Sequence, residues 1–305
     1  GKKTTISNTG TISVGAGGVA IYAENGSNIT NLGTLKLGSD AIGIMTDGTS
    51  TITATNVTLE SNSGTDTDGK TAVYYKGSTS GTDNKSISLN IDAENFDKGT
   101  AVYAENMNIT SSGGLNVGTE GIGIFVKGTS ANTGTNAGTI DLTSGKTGAV
   151  GMYTKTANIV NDIAGIIEVR DSSQIGMYAE GTNNKAANMG SIKLNVDGST
   201  GIYVKSGATT EISGEKITFA GKSSIGVFAE DGAKVKLTEN LNFANDNANK
   251  NIYIYGKNGS SVTLNTGKSV AVNGITSNLS GEKTVGIYLE NAGTASIFNG
   301  TTGQL

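Results

Sequence analysis

The stretch Ile175-Gly176-Met177-Tyr178-Ala179-Glu180 returns 25 residues later as Gly201-Ile202-Tyr203-Val204-Lys205, and after another 25 as Ile225-Gly226-Val227-Phe228-Ala229-Glu230. This short strand, the anchor, recurs along the whole chain. Clear copies are Val19 to Glu24, Ile42 to Asp47, Ile122 to Lys127 and Val285 to Glu290, and weaker ones centre on Tyr74, Tyr103, Tyr153 and Tyr255. From Tyr22 to Tyr288 the anchors cover 266 residues in ten steps, a mean of about 27. A fixed period of that size marks a stacked repeat architecture, in which each unit buries its apolar side against its neighbours.

A second motif precedes many anchors by 14 to 17 residues: Asn8-Thr9-Gly10-Thr11-Ile12, Asn31-Leu32-Gly33-Thr34-Leu35, Asn136-Ala137-Gly138-Thr139-Ile140 and Asn188-Met189-Gly190-Ser191-Ile192. Segments such as Leu35-Lys36-Leu37 and Ile192-Lys193-Leu194-Asn195-Val196 alternate with period two, as half-buried strands do. Two or three strands per 25 residues leave no room for a crossover helix. The predicted fold is therefore all-β: a right-handed parallel β-helix, or β-solenoid, of about 11–12 coils with roughly 25 residues per coil. Residues 1–305 form one such segment, with loop insertions expected near 61–70, 78–85, 129–135 and 258–283, where the anchors are more widely spaced. The chain starts without Met and both ends fall in repeat-like sequence, so it reads as part of something longer.

Composition agrees with strands joined by polar turns. There are 46 Gly, no Pro, His, Cys or Trp, and 16% charged residues, against roughly 25% in ordinary soluble domains. The absence of cysteine rules out disulfides, thiolate metal sites and a cysteine nucleophile. A net charge of −4 and a single arginine, Arg170, provide no basic footprint for nucleic acid. No apolar run approaches the length of a membrane span.

Strand alternation assigns the side chains of the anchor. Val19, Ile21 and Ala23, or Ile225, Val227 and Ala229, are expected to face the core, while Gly or Ala, an aromatic and a charged residue alternate with them on the outside. The outward aromatics Tyr22, Tyr74, Tyr103, Phe125, Tyr153, Tyr178, Tyr203, Phe228, Tyr255 and Tyr288 then form a stripe, of which Tyr103 to Tyr255 is the candidate binding surface. Such a stripe offers sugars or protein side chains rigid apolar area with a polar tip. The competing reading is that identical positions stack to stabilise the solenoid. The last anchor residues alternate in sign from Lys155 through Glu180, Lys205, Glu230 and Lys257 to Glu290, as stacked neighbours should.

The Asn-x-Gly-Thr-Ile turn and the anchors at Ala20 to Gly26, Ala101 to Asn106 and Gly176 to Gly181 resemble the passenger repeats of bacterial type V autotransporters, in particular the large fusobacterial outer-membrane autotransporter adhesins. The resemblance covers essentially the whole chain. It implies a passenger exported through a C-terminal membrane barrel that this sequence lacks, displayed on the surface of a Gram-negative bacterium. It implies further that the passenger attaches to a protein or glycan receptor on host cells or other bacteria. The segment is expected to be monomeric, to need no cofactor or metal, and not to be an enzyme.

Rival readings are weaker. Asp66-Thr67-Asp68-Gly69 has the start of a calcium loop but lacks the ligands that should follow, since Val73 and Tyr74 lie downstream. The Gly-x-Gly pairs at Gly15/Gly17 and Gly121/Gly123 open no helix and so make no phosphate site. A Ser-His-Asp set needs the histidine the chain does not have. Glycoside hydrolysis needs two carboxylates converging across a bond. Lyases of this architecture rely on arginine and calcium-binding acids, whereas Arg170 sits with Glu168 and Asp171 in what reads as an ordinary charged turn. An inert stalk, holding a distal adhesive tip away from the membrane, is the remaining alternative.

Overall fold

In a computed structural model the described residues are 3–62, 68–78, 80–213, 216–244, 250–265, 270–273 and 285–291, with only the backbone described at 31, 241–244 and 270–273. They form a parallel β-solenoid with three strands per turn. Each pairing joins strands three places apart along the chain, and every pairing is parallel. The anchors, from Val19–Ala23 to Val285–Glu290, make one uninterrupted eleven-stranded sheet, the anchor face. The second face holds three strands (Thr5–Ser7, Asn28–Asn31, Thr51–Ile52) and then eight, from Asn84–Ile87 to Ser261–Leu264. The third has nine, from Thr11–Val14 to Ile217–Phe219, and continues as the pair Leu241–Ala244 and Val270–Asn273. No strand run is replaced by a helix among the described residues.

The interior is a dry column. Ile124, Met152, Met177, Ile202 and Val227 of the anchor face meet Ile140, Ile167 and Ile192 of the third face, all fully buried. Burying one such side chain contributes about 1.5–3 kcal/mol, and each coil adds several.

The anchor alternation departs from expectation at one place. The register joins first position to first and third to third, as in Ile175↔Thr200 and Met177↔Ile202, and skips the second throughout. Backbone turns there, so second and third positions both face inward and the first faces out. Val19 is accordingly 39% exposed and Ile225 half-buried, whereas Gly176, Gly201 and Gly226 are buried. The space there is tight: a Cβ on Gly176 would lie 2.6 Å from the oxygen of Gly201 and 3.2 Å from Ile192. Small residues fit this position, although Tyr253 also occupies it, with its ring against Phe219.

The insertions also differ in extent. At 129–135 there is a short turn, Thr129 to Asn132, and Thr133–Asn136 is already a regular strand. At 78–85 the loop ends where Asn84–Ile87 begins. Within 258–283, Ser261–Leu264 and Val270–Asn273 are strands of the coil; 266–269 and 274–283 lie outside the described residues, as do 63–67 of the loop at 61–70.

Candidate functional site

Stacking brings every sequence-predicted site residue into one ladder. Ring centroids are 4.9 Å apart for Tyr103 and Phe125, 5.1 Å for Phe125 and Tyr153, and 5.0 Å for Tyr153–Tyr178, Tyr178–Tyr203, Tyr203–Phe228 and Phe228–Tyr255. Tyr74 extends the ladder at one end, 4.8 Å from Tyr103, and Tyr288 at the other, 5.3 Å from Tyr255. The separation follows from the strand spacing of about 4.8 Å, so ring contact is a consequence of register. Each inner ring has a ring neighbour on both sides and is half-buried, with some pairs stacked and others tilted or edge-on.

The phenol tips are tied down. Tyr178 Oη donates to Glu180 Oε2 at 2.6 Å, and Tyr74, Tyr203 and Tyr255 donate to Glu105, Glu230 and Glu290 on the adjacent coil. Burial, reinforced by the carboxylate, holds Tyr74, Tyr178 and Tyr203 well above the ordinary phenol value. For Tyr255 the bond to Glu290 is the larger cause, and it is pushed up to about 12.

Beside the rings runs the charged column. Glu180 lies between Lys155 at 2.7 Å and Lys205 at 3.5 Å, and Glu105 pairs with Lys127 at 3.3 Å. Burial alone would raise the Glu180 carboxyl; the bonds from Lys155 and Tyr178 outweigh it and lower it. Exposed pairs of this kind contribute about 0–1 kcal/mol each. On the other side of the rings runs the unexpected first-position column, with Ile122, Val150, Ile175, Thr200 and Ile225 in register. A shallow depression of about 260 Å³ between the two columns is lined by Ile42, Thr71, Tyr74, Thr100, Tyr103 and Phe125.

Sequence reasoning missed a polar network on the third face. Arg170 Nε donates to Asp141 Oδ1 at 2.7 Å and its guanidinium lies 3.6 Å from Glu168, which also receives Lys193 at 2.7 Å and Asn195 at 2.7 Å. The signal was present, because Asp141, Glu168 and Lys193 are 27 and 25 residues apart and pair in register. Asp141, by its hydrogen bond, raises Arg170 further above its ordinary value and keeps the guanidinium protonated. Of the faint calcium motif, Asp66 and Thr67 lie outside the described residues, and Asp68 pairs with Lys98 at 3.4 Å. Among the described residues no group of three or more acids is placed to hold a metal ion.

A protein-family model described as the BigA third pectate lyase-like domain matches residues 1–214. The chain belongs to this family. It is a β-helix-type domain found in bacterial surface proteins, which agrees with the solenoid. No curated protein and no solved structure matches the chain. The pectate lyase-like match ends after Tyr203, yet Phe228, Tyr255 and Tyr288 continue the same sheet in unbroken register, so the ladder runs past the matched stretch.

Proposed function

We propose that this segment is adhesive: displayed on the outer surface of a Gram-negative bacterium as part of an autotransporter passenger, it attaches to host cells or other bacteria through the anchor face. One observation carries the reading. The mostly aliphatic first-position column lies beside the aromatic ladder on the same outer surface, which gives a long, largely apolar strip edged on one side by charges, the composition of a recognition surface. A partner would meet the outer parts of tilted rings and the aliphatic side chains beside them. The segment acts by binding and without turnover. In support, the chain has no histidine, and Arg170, its only arginine, is engaged by Asp141 and Glu168.

The stacking itself favours a second reading, in which the ladder stiffens an inert stalk. The test replaces Tyr153, Tyr178 and Tyr203 together by Ser and measures cell attachment of the purified segment beside polysaccharide cleavage. Reduced attachment with the strand signature of circular dichroism intact is expected. Unchanged attachment of the folded variant rejects the ladder as a binding surface, and cleavage by the parent rejects the non-enzymatic reading.

A further inference from the structure

The aromatic ladder is broken at one rung. Met45 stands in register between Tyr22 and Tyr74, where every later rung to Tyr288 carries a ring. Over this break lies a depression of about 300 Å³, at the lower end of the roughly 300–1,000 Å³ of small-molecule sites. Tyr22, 54% exposed, and Met45 supply its apolar wall. Asp47 and Thr49 line one side, and Lys76, Ser78 and Asp83 the other.

The site is built by the loop that begins at Ser78, which brings Asp83 back onto the preceding coil. Gly48 permits the approach, since a Cβ there would lie 2.6 Å from the Asp83 carboxyl carbon. The two acids are held differently. Asp47 is saturated by the Asn25 and Ser50 amides at 2.8 Å, the Thr49 amide at 3.2 Å and the Thr49 hydroxyl at 2.8 Å. Asp83 is fixed through Ser78, whose amide donates to Oδ2 at 2.6 Å, and its half-buried carboxylate keeps further acceptor capacity. Lys76, in register with Asp47 and Glu105, makes no ion pair among the described residues and can donate.

We propose that this depression binds a neutral pyranose, with the sugar's C–H face against Tyr22 and Met45 and a vicinal pair of hydroxyls shared between Asp83 and Lys76. An aromatic side chain bordered by a carboxylate with acceptor capacity to spare and an amine outside any ion pair matches a ligand that is apolar on one side and hydroxylated at its rim. Asp47 and Asp83 are balanced by Lys76 and by Lys85, whose Nζ donates to the Thr49 carbonyl at 2.9 Å, so the site has no net charge to favour an ionic ligand. The proposal deepens the adhesive reading, on which its biological use rests.

Saturation-transfer NMR on the 305-residue chain, with methyl β-D-galactopyranoside, methyl α-D-mannopyranoside and methyl β-D-glucopyranoside as probes, tests it. Transfer to at least one pyranoside is expected, weakened about tenfold by Tyr22→Ala and by Asp83→Asn, and retained in Tyr288→Ala. No transfer to any of the three from folded protein, or transfer that survives both substitutions, overturns it. That experiment contains no cells, so its failure removes the pocket and leaves attachment through the ladder to its own assay.

Discussion

Asn161 donates from its side-chain amide to Asn188 Oδ1, 2.8 Å away and 27 residues along the chain, and accepts from Asn136 at 2.9 Å. All three are fully buried at the corner between the second and third faces. Two of the amides also serve the turn: Asn161 Nδ2 reaches the Ser191 carbonyl at 3.2 Å, and Asn136 Oδ1 accepts from the Gly138 amide at 3.2 Å. The ladder stops at Ile212, in register with Asn188, whose Nδ2 has no hydrogen-bond partner.

Replacing the middle rung should therefore cost more than a lost contact. Asn161→Leu fills the volume but leaves Asn188 Oδ1 unpaired and weakens the hold on Asn136, in a place water does not reach. A loss of about 2–4 kcal/mol is expected, read as a lower denaturant midpoint. Stability within about 0.5 kcal/mol of the parent would show that the ladder is incidental.

The bend at the second anchor position makes a paired prediction. Val227→Asp puts a charge in the dry column, where the third position is fully buried, and should cost several kcal/mol. Ile225→Asp, two residues earlier on the half-buried outer column, should cost about 1 kcal/mol or less. Thermal melting of the two variants side by side decides it; equal losses would restore strict alternation.

The repeat made the solenoid legible because one motif, recurring at 25 residues, can bury its aliphatic side chains only by stacking. Register was legible too, since Tyr178 and Tyr203 hold the same place in each copy and become neighbours at 5.0 Å. What period-two reasoning could not see was the turn of the backbone at Gly176, Gly201 and Gly226, because it shows only in the pairing with the next coil, where the second position is skipped. That is why Ile225 was expected inside and is found on the outer face. The Arg170 network is hidden for a different reason: along the chain Arg170 stands with Glu168 and Asp171, whereas Asp141 and Lys193 join from the coils before and after.

Asp47 sets an acid-side prediction. Burial alone would raise its carboxyl, yet the bonds from Ser50, Asn25 and Thr49 outweigh that and lower it from the ordinary 3.8 to about 2. A depressed folded value means the stabilisation is full above pH 3.8 and is lost as the pH falls through about 2. Asp47→Asn should be less stable than the parent at neutral pH, with the gap closing as the pH falls from 3.8 toward 2. Parallel melting curves of the two proteins across that range, with a constant gap, would contradict the assignment.

The tyrosine ladder sets the opposite limit. Tyr255 is pushed up to about 12 by its bond to Glu290, and Tyr178 is raised by burial and by Glu180. Because the folded values exceed the unfolded one of about 10, the stabilisation is full below pH 10 and is lost as the pH climbs through the folded values. Stability should thus hold up to about pH 10 and fall above it. Tyrosinate absorbance, taken as the difference between the parent and Tyr255→Phe, should place Tyr255 near 12. In the Glu290→Gln background the same difference should move down toward 10, because the carboxylate that opposes a second negative charge is gone. A Tyr255 titration unmoved by that change would mean that Glu290 does not hold the phenol, and that burial between Phe228 and Tyr288 accounts for the whole effect.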